Sequence, residues 1–426
     1  MTDNRRMTPM HPLRPWLMWA AGSSFFFYAF FQRTAPSVMV PELMRDFGVT
    51  AAALGNLSAY YFWAYTALQL PVGVAADRWG PRRLLSLAAA FAGAGGLLFA
   101  LAETVPLASL GRLMVGAGAG FGFVCTLKII TDWFPPHRLA MLSGLLMMLG
   151  MLGGVAGQAP LAAAVASYGW RETMATAALF AIFLAVFAGF IVRDKRPEGA
   201  HAGGGAGGAS LLRGLRRSLG RGQTWLIAGY GFFLLPPMFA FGALWGVPYL
   251  TQIHGFTRPD AAFAASLILI GWGLFAPVVG WLSDRWRRRK PPLVAAALLN
   301  CLTMLVVIYV PNLSPGLIQV MLFTNGVFTA GMVVCFATAR EHNAAEDAGA
   351  AMAVVNMGVI GSGAFSQPLV GWLLDLAWTG EIEGGVRIYT QAAYDGAFWV
   401  IPASCAVATV LALMIRETHA KAEIDP

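Results

Sequence analysis

The feature that most constrains this chain is a series of long apolar runs that follow one another along almost its whole length. Each run holds about 20 to 28 residues, which as an α-helix is enough to cross a hydrocarbon core of about 30 Å. The runs are continuously apolar and lack the alternation of outer-membrane strands, so they predict helices rather than a β-barrel. We predict twelve membrane-spanning helices, at residues 16–40, 51–75, 84–102, 107–131, 138–166, 172–192, 223–250, 260–283, 292–310, 315–338, 348–375 and 394–415.

The composition agrees with a membrane protein and excludes several other classes. Hydrophobic residues make up 58% of the chain and charged residues only 12%, whereas soluble domains are about a quarter charged. The basic N-terminus precedes a long run without a small-residue cleavage site, so we expect the first helix to be retained. The four cysteines lie inside predicted spans and have no CxxC spacing: Cys125, Cys301, Cys335 and Cys405. They therefore predict neither disulfides nor a zinc site, and we expect no cofactor.

Basic residues are distributed unevenly between the two sides of the predicted membrane. With the N-terminus in the cytoplasm, most Lys and Arg residues fall in cytoplasmic segments, as the positive-inside rule requires. The external loops then hold only Arg45, Arg171, Arg258 and Arg387. The formal net charge of +8 therefore reflects membrane topology and does not indicate nucleic-acid binding. We predict a multi-pass protein of the inner membrane, surrounded by lipid, with both termini in the cytoplasm.

A glycine-rich and arginine-rich segment divides the chain into two halves. Residues 193–222 have the composition of a flexible connector whose arginines suit an anionic leaflet, and a surface helix at its basic end is an alternative. The predicted organisation is a cytoplasmic N-terminus, a six-helix half, the linker, a second six-helix half and a cytoplasmic C-terminus. Their boundaries are 1–15, 16–192, 193–222, 223–416 and 417–426.

Two short patterns recur in both halves. The sequence GVAADRWGPRR begins at Gly73, and GWLSDRWRRRK begins at Gly280 with its aspartate and arginine in the same places. Gln158 and Gln367 are separated by nearly the same number of residues as the two aspartates. The chain therefore reads as a tandem of two pseudo-symmetric halves, an architecture of secondary transporters that move the halves around a site between them.

The first of these patterns resembles the cytoplasmic signature of the major facilitator superfamily, G-x-x-x-D-R-x-G-x-R-R. The resemblance covers almost the whole chain, and it implies an all-α fold of twelve transmembrane helices in two six-helix halves. It also implies that the aspartate is held near a helix N-terminus and a basic residue, as a latch on the outward-facing state. The expected latch residues are Gly73, Asp77, Arg78, Gly80, Arg82 and Arg83, with Asp284 and Arg285 in the second copy, where Arg287 replaces a glycine.

Charged residues inside the predicted spans are all basic. The acidic residues and the histidines avoid the span centres, so the sequence predicts no proton relay on a central carboxylate. Arg33, beside polar Gln32 and Thr34, is expected to face a cavity and bind a carboxylate, although it can also extend to the external surface. Its surroundings show a second, weaker resemblance to anion-transporting branches of the superfamily and to phagosomal amino-acid transporters.

Two further cations and several polar side chains complete the expected site. Lys128 is expected to contact substrate or to extend to the cytoplasmic surface, and Arg112 resembles the helix-4 arginine that the superfamily associates with coupling. On an ideal helix these two residues face almost opposite directions, so a bend would be needed for both to line one cavity. The polar candidates are Tyr61, Tyr65 and Gln69 on one helix face, and Asn325, Asn356 and Gln367 from the second half.

These features predict a monomeric secondary transporter that is not an enzyme. Unpaired cations in a low-dielectric cavity are costly, and a bound anion relieves that cost, so the substrate is expected to be an organic acid or an amino acid. Proton-coupled uptake is expected, with the proton on the substrate or on another group. A drug or siderophore exporter is the alternative, although the Gly-Pro pair of drug antiporters is missing from the fifth run. A membrane-embedded enzyme is a remote alternative, because no catalytic constellation gathers at one depth.

Overall fold

The computed structural model describes residues 13–194 and 208–420, and these residues are almost entirely helical. Ten helical segments are long and apolar enough to span a membrane. Two more, Arg14–Thr34 and Ala51–Trp79, have spanning length but carry more aromatic and small polar residues. We number the twelve in chain order as spans 1 to 12: Arg14–Thr34, Ala51–Trp79, Pro81–Leu101, Val105–Trp133, Pro136–Tyr168, Trp170–Ile191, Gly222–Gln252, Arg258–Trp286, Lys290–Tyr309, Pro315–Glu341, Ala348–Leu376 and Gln391–Met414.

Four spans are interrupted. Span 7 changes to a π-helix at Pro237–Trp245, where Pro236 and Pro237 remove two backbone donors from the ordinary ladder. Span 5 breaks at Gly157 and Gln158, and Pro160 follows in the first turn of its second segment. The α-helical segments of the interrupted spans are Leu139–Ala156 and Ala159–Tyr168, Gly222–Leu234 and Gly246–Gln252, Pro315–Thr329 and Val333–Glu341, and Gln391–Phe398 and Val400–Met414.

Short elements lie between the spans. The first run was predicted to continue to residue 40, but span 1 ends at Thr34 and a separate amphipathic helix occupies Val40–Phe47. Strand β1 (Ile382–Glu383) pairs antiparallel with β2 (Val386–Arg387) between spans 11 and 12. The predicted linker contains a helix at Gly208–Leu219, the linker helix, and residues 195–207 of that linker lie outside the described part of the chain.

The spans pack into two halves, spans 1–6 and spans 7–12. In the first half span 4 packs against spans 2 and 3, and in the second half span 8 packs against span 10. Glycines permit the close approach: Gly116 faces the backbone of Tyr61, and Gly326 faces the backbone of Ile268. The all-α class predicted from the apolar runs is confirmed, and so is the division into two helical halves.

The two ends of the molecule differ in how tightly the halves meet. We call the face where the described chain begins and ends the terminal face, and the opposite face the distal face. At the distal face the Asp375 carboxylate accepts hydrogen bonds from the N–H groups of Ala51 and Ala52, and Arg258 pairs with Glu42 at 2.5 Å. Both contacts join the halves, so the structure is closed at this face.

At the terminal face the corresponding helix ends stand apart. A methyl group added at Gly73 in span 2, Gly280 in span 8 or Gly349 in span 11 would meet no other atom within 4 Å. By contrast, one added at Gly55 or Gly371, near the distal ends of spans 2 and 11, would collide with backbone of the other half. Spans 2 and 11 therefore form the central contact between halves at the distal end.

Candidate functional site

Arg33 lies between the two halves, in a cage of aromatic rings. Its guanidinium carbon is 4.2 Å from the ring centroid of Phe30, 5.3 Å from that of Tyr65, and 5.8 Å from those of Tyr61 and Phe239. The residue is only 4% exposed, and its Nε has no hydrogen-bond partner. Ring faces attract a cation but leave Nε without an acceptor, so this site retains the capacity to bind an anion. We call these four rings the aromatic cage.

Arg112 provides a second buried cation beside the cage. It is 1% exposed, its Nη1 donates to the carbonyl of Gln32 at 2.8 Å, and its guanidinium carbon lies 5.2 Å from the Tyr61 ring centroid. Its Nε and Nη2 have no partner. The ring of Tyr61 thus contacts both arginines, and no carboxylate of residues 13–194 or 208–420 forms an ion pair with either. Burying charge without an acidic partner is costly, and a bound anion would offset that cost.

The polar residues predicted on one face of span 2 all reach the central region. Tyr61 and Tyr65 stack with centroids 6.1 Å apart, and the Tyr61 hydroxyl donates to the carbonyl of Ala29 at 2.9 Å. Gln69 lies two turns after Tyr61, toward the terminal face, and accepts a 2.7 Å hydrogen bond from the amide of Asn356 in span 11. The structure therefore brings Arg33, Tyr61 and Tyr65 together, and it places Gln69 and Asn356 at a contact between the halves.

Two other predicted residues lie apart from the cage. Lys128 is near the terminal end of span 4, 35% exposed at its side chain, with its Nζ 3.5 Å from the Asp132 carboxylate one turn later. Asn325 is fully buried between spans 9 and 10, where its amide donates to Asn300 and Thr303. The structure thus places Lys128 toward the terminal mouth and Asn325 in a polar cluster inside the second half.

The two repeat-related glutamines contact the same irregular segment of span 7. Gln158 in span 5 donates from Nε2 to the carbonyl of Gly242 at 2.8 Å, and Gln367 in span 11 donates to the carbonyl of Phe239 at 2.8 Å. Both bonds are buried, and both acceptors belong to the π-helix Pro237–Trp245. The first bond crosses between the halves, whereas the second lies within the second half. Because Phe239 belongs to the aromatic cage, this segment links the cage to the distal closure.

The loop between spans 2 and 3 explains one glycine of the repeated motif. Gly80 has φ +76°, and a methyl group there would lie 2.6 Å from the carboxylate of Asp194, which follows span 6. That carboxylate accepts a hydrogen bond from the backbone N–H of Arg82 at 2.9 Å, at the N-terminus of span 3. The Arg82 side chain donates from Nε to the carbonyl of Gly189 at 2.8 Å. Glycine is thus required here for both conformation and space.

Three other motif residues of the first copy are exposed at the terminal face. They are Gly73, Arg78 and Arg83. The side chain of Asp77 lies outside the described part of the chain, so its role as a latch stays a prediction.

The second copy of the motif forms a charged cluster within its own half. Asp284 pairs with Arg289 at 2.6 Å, and Arg289 also pairs with Glu341 at the end of span 10 at 2.7 Å. Arg285 is exposed. Asp284 therefore pairs with Arg289, five residues later in the sequence. The motif did not predict a role for Arg289.

Glu417, just after span 12, caps the N-terminus of span 9 in the same way as Asp194 caps that of span 3. Its carboxylate accepts hydrogen bonds from the backbone N–H groups of Arg289 at 2.7 Å and Lys290 at 3.0 Å, at the start of span 9. Burial raises the pKa of Glu417, but these hydrogen bonds to its charged form outweigh burial, so its pKa lies below its usual value. Each half thus ends in an acid that fixes the N-terminus of its third helix.

Several residues around this site could not be identified from the sequence. Phe30 and Phe239 could not be selected, because the chain holds 28 phenylalanines and no spacing marks these two. Gln158 was recognised only as a marker of the repeat. Its correspondence to Gln367 was the available signal, since a polar residue retained at matched positions of two halves has a partner to find.

Together the fold and the site define a class of protein. Two helical halves enclose a buried cationic site and meet tightly at one face only, as in secondary transporters that work by alternating access. A sequence profile of the Major Facilitator Superfamily matches the chain twice, over residues 22–247 and 231–426. The chain therefore belongs to the Major Facilitator Superfamily, as its motif predicted.

Similar proteins are known from sequence and from structure. The chain is 24% identical over 276 residues to the "Probable sulfoacetate transporter SauU" of Cupriavidus necator, an alignment that covers 62% of this chain and 64% of that protein, less than two thirds of its length. It is 27% identical to the "Probable nitrate/nitrite antiporter NarK1" of Thermus thermophilus, with 80% and 81% of the two chains covered.

A solved structure supports the fold. The chain superimposes with a TM-score of 0.72 on a bacterial homologue of the human lysosomal transporter Spinster in an inward-facing, unoccupied conformation. The two share 17% identity, and 95% of each chain is covered. At this identity the likeness shows the fold alone.

Proposed function

We propose that this transporter carries a small anion, such as an organic acid or an amino acid, through the site between its halves. The observation that carries the proposal is Arg33, buried in the aromatic cage with an unsatisfied Nε and without a carboxylate partner among the described residues. A carboxylate or a similar oxyanion would accept its N–H donors and offset the cost of the buried charge. The names of the two relatives, a sulfoacetate transporter and a nitrate/nitrite antiporter, support an anionic substrate.

We further propose that transport is proton-coupled uptake, with the proton carried by the substrate or by a group other than a central carboxylate. The acidic residues in the described spans lie near span ends, as Asp132, Asp284 and Asp375 do. Within the described spans, no acid therefore stands beside Arg33 or Arg112 to alternate between a proton and an ion pair. Arg112, which contacts the same Tyr61 ring as Arg33, is the proposed coupling group.

We propose that the terminal face is cytoplasmic and that the protein works as a monomer in the inner membrane. The asymmetric distribution of Lys and Arg supports this orientation. The structure would then be closed to the outside and open to the cytoplasm. Asp77 would act as a latch when the terminal ends of spans 2 and 11 close, with Arg78 beside it.

Uptake into proteoliposomes tests the proposed substrate class. The panel would contain labelled monocarboxylates, dicarboxylates, sulfonates, nitrate and amino acids, with and without an inward proton gradient. We expect saturable uptake of at least one anion, competition by related anions, and strong loss in Arg33→Lys. Arg45→Lys, at an exposed arginine of the distal face, is the matched control and should transport normally. Uptake of neutral or cationic solutes that no anion inhibits would refute the proposal.

A further inference from the structure

A groove lies on the outer side of the first half, away from the aromatic cage. It has a volume of about 640 Å³, which is within the range of small-molecule sites. Spans 1, 5 and 6 form its walls. Apolar side chains make up most of the lining, among them Phe27, Phe31, Leu161, Ala164 and Phe180.

The position of this groove indicates that its occupant comes from the bilayer. Tyr168 and Phe180, at its two ends, are exposed large side chains, and in a membrane such side chains face lipid. Glu172 and Phe180 are eight residues apart on span 6, so the groove extends about 12 Å along that helix. This length is most of one leaflet of a hydrocarbon core that is about 30 Å thick. An acyl chain that lies along the span fits these dimensions.

One charged side chain lines the groove, and it is acidic. Glu172 lies in the first turn of span 6 at the distal face, beside the hydroxyls of Thr173 and Thr176. Its carboxylate has no ion pair or hydrogen bond with any described residue, and no basic residue lines the groove. A carboxylate attracts an ammonium group and repels an anionic headgroup, and it forms its strongest hydrogen bonds with N–H donors. A primary ammonium headgroup meets both conditions, whereas a quaternary ammonium has no N–H to donate.

We propose that this groove binds an aminophospholipid of the distal leaflet, with an acyl chain along spans 1, 5 and 6 and the ammonium group on Glu172. The hydroxyls of Thr173 and Thr176 already donate to the backbone carbonyls of Gly169 and Glu172, so the phosphate would be hydrated at the distal surface. The lipid would also touch Tyr28, whose hydroxyl accepts a hydrogen bond from Gln32 at 2.8 Å. Gln32 precedes Arg33, so the occupied groove would support span 1 directly behind the transport site.

Native mass spectrometry of the purified, detergent-solubilised protein tests this assignment. The protein would be exposed to equal amounts of phosphatidylethanolamine, phosphatidylcholine and phosphatidylglycerol with identical acyl chains, and the retained lipid would be counted. We expect preferential retention of phosphatidylethanolamine, lowered about two- to fivefold in Glu172→Gln, as for a partly exposed ion pair. Ala164→Phe, which fills the groove without changing Glu172, should reduce retention of all three lipids.

Glu103→Gln is the matched control, because Glu103 is an exposed acid of the same face outside the groove. It should retain phosphatidylethanolamine as the unmodified protein does, and all variants should elute as folded protein. Equal retention of phosphatidylethanolamine and phosphatidylcholine would overturn the proposed headgroup contact. Unchanged retention in Glu172→Gln or in Ala164→Phe would overturn the site itself, and none of these outcomes depends on the substrate that the protein transports.

Discussion

Replacement of Gln158 by leucine should open the distal face. The Gln158 amide donates to the buried Gly242 carbonyl at 2.8 Å across the two halves, and Ser37 donates to its Oε1 at 3.1 Å. In the closed state the substitution leaves the Gly242 carbonyl buried and without its side-chain donor. In an open state water would reach the same carbonyl, so the cost falls on the closed state alone. Ser37 also donates to the Thr34 carbonyl, so it retains an acceptor.

The size of the effect follows from the cost of an unsatisfied buried group. Loss of one partner from a buried hydrogen bond costs about 1–3 kcal/mol. Applied to the closed state only, this changes the ratio of distal-open to distal-closed molecules by about 5- to 150-fold. A protein that is mostly closed would therefore show a clearly measurable open population in Gln158→Leu.

Gln367 provides an internal control for this prediction. Its amide makes the same kind of buried bond, 2.8 Å to the carbonyl of Phe239, in the same π-helix. Both partners belong to the second half, so Gln367→Leu should lower thermal stability without shifting the open–closed ratio. The two variants thus remove similar bonds with different consequences.

Electron–electron distance measurements between spin labels can separate the two cases. Labels at Thr104 and Glu381, exposed on the distal face of opposite halves, would report the separation in a Cys301→Ser background. We expect a new, longer distance in Gln158→Leu and the parental distribution in Gln367→Leu. The reasoning is wrong if Gln158→Leu leaves the distances unchanged or if Gln367→Leu lengthens them equally.

Three further predictions test other parts of the structure. Arg33→Ala should weaken anion binding at least tenfold in calorimetry, since each charged hydrogen bond contributes about 1.5–3 kcal/mol, and Arg33→Lys should restore only part of the affinity. Glu417→Gln should lower the melting temperature at neutral pH; because the pKa of Glu417 is lowered by folding, this difference should vanish as pH falls from its usual value through the lowered one. Gly80→Ala should cost about 1–3 kcal/mol in thermal unfolding, because it forces φ +76° on a side chain that also meets Asp194, whereas Gly73→Ala, in open space, should be neutral.

The architecture could be predicted because the membrane restricts the solutions so strongly. A long apolar run must become a helix in lipid, and a repeated motif at matched positions implies two similar halves. The ends of the helices were harder to predict from the sequence. The first run continues in hydrophobic residues past Thr34, but Pro36 and Pro41 lie in the next two elements, and the chain turns into the surface helix Val40–Phe47. Hydrophobicity alone does not distinguish a residue in the lipid core from one buried under a neighbouring helix.

The candidate site could be predicted only where charge, or polar residues on one helix face, made a residue conspicuous, as Arg33 and the pair Tyr61 and Tyr65 were. Arg33 and Arg112 were selected because ionised groups inside a span are costly and must have a purpose. Lys128 met the same criterion, yet the structure places it near the terminal face beside Asp132. Position along a span cannot tell a cavity from a surface, and both are open to a long lysine side chain. Phe239, which contacts Arg33 from the other half, carries no charge and gave no signal.

The sequence repeat predicted two similar halves, but it did not predict that its two matched glutamines make different kinds of contact. Gln158 and Gln367 occupy matched positions, and both donate to the π-helix of span 7. There is one such π-helix among the described spans, and it belongs to the second half, so one glutamine must reach across the interface and the other need not. Two residues that the sequence treats as equivalent therefore differ in whether their hydrogen bond breaks when the halves separate. That difference depends on which helix lost its regular geometry at Pro236 and Pro237, and it is visible only once the three helices are placed together.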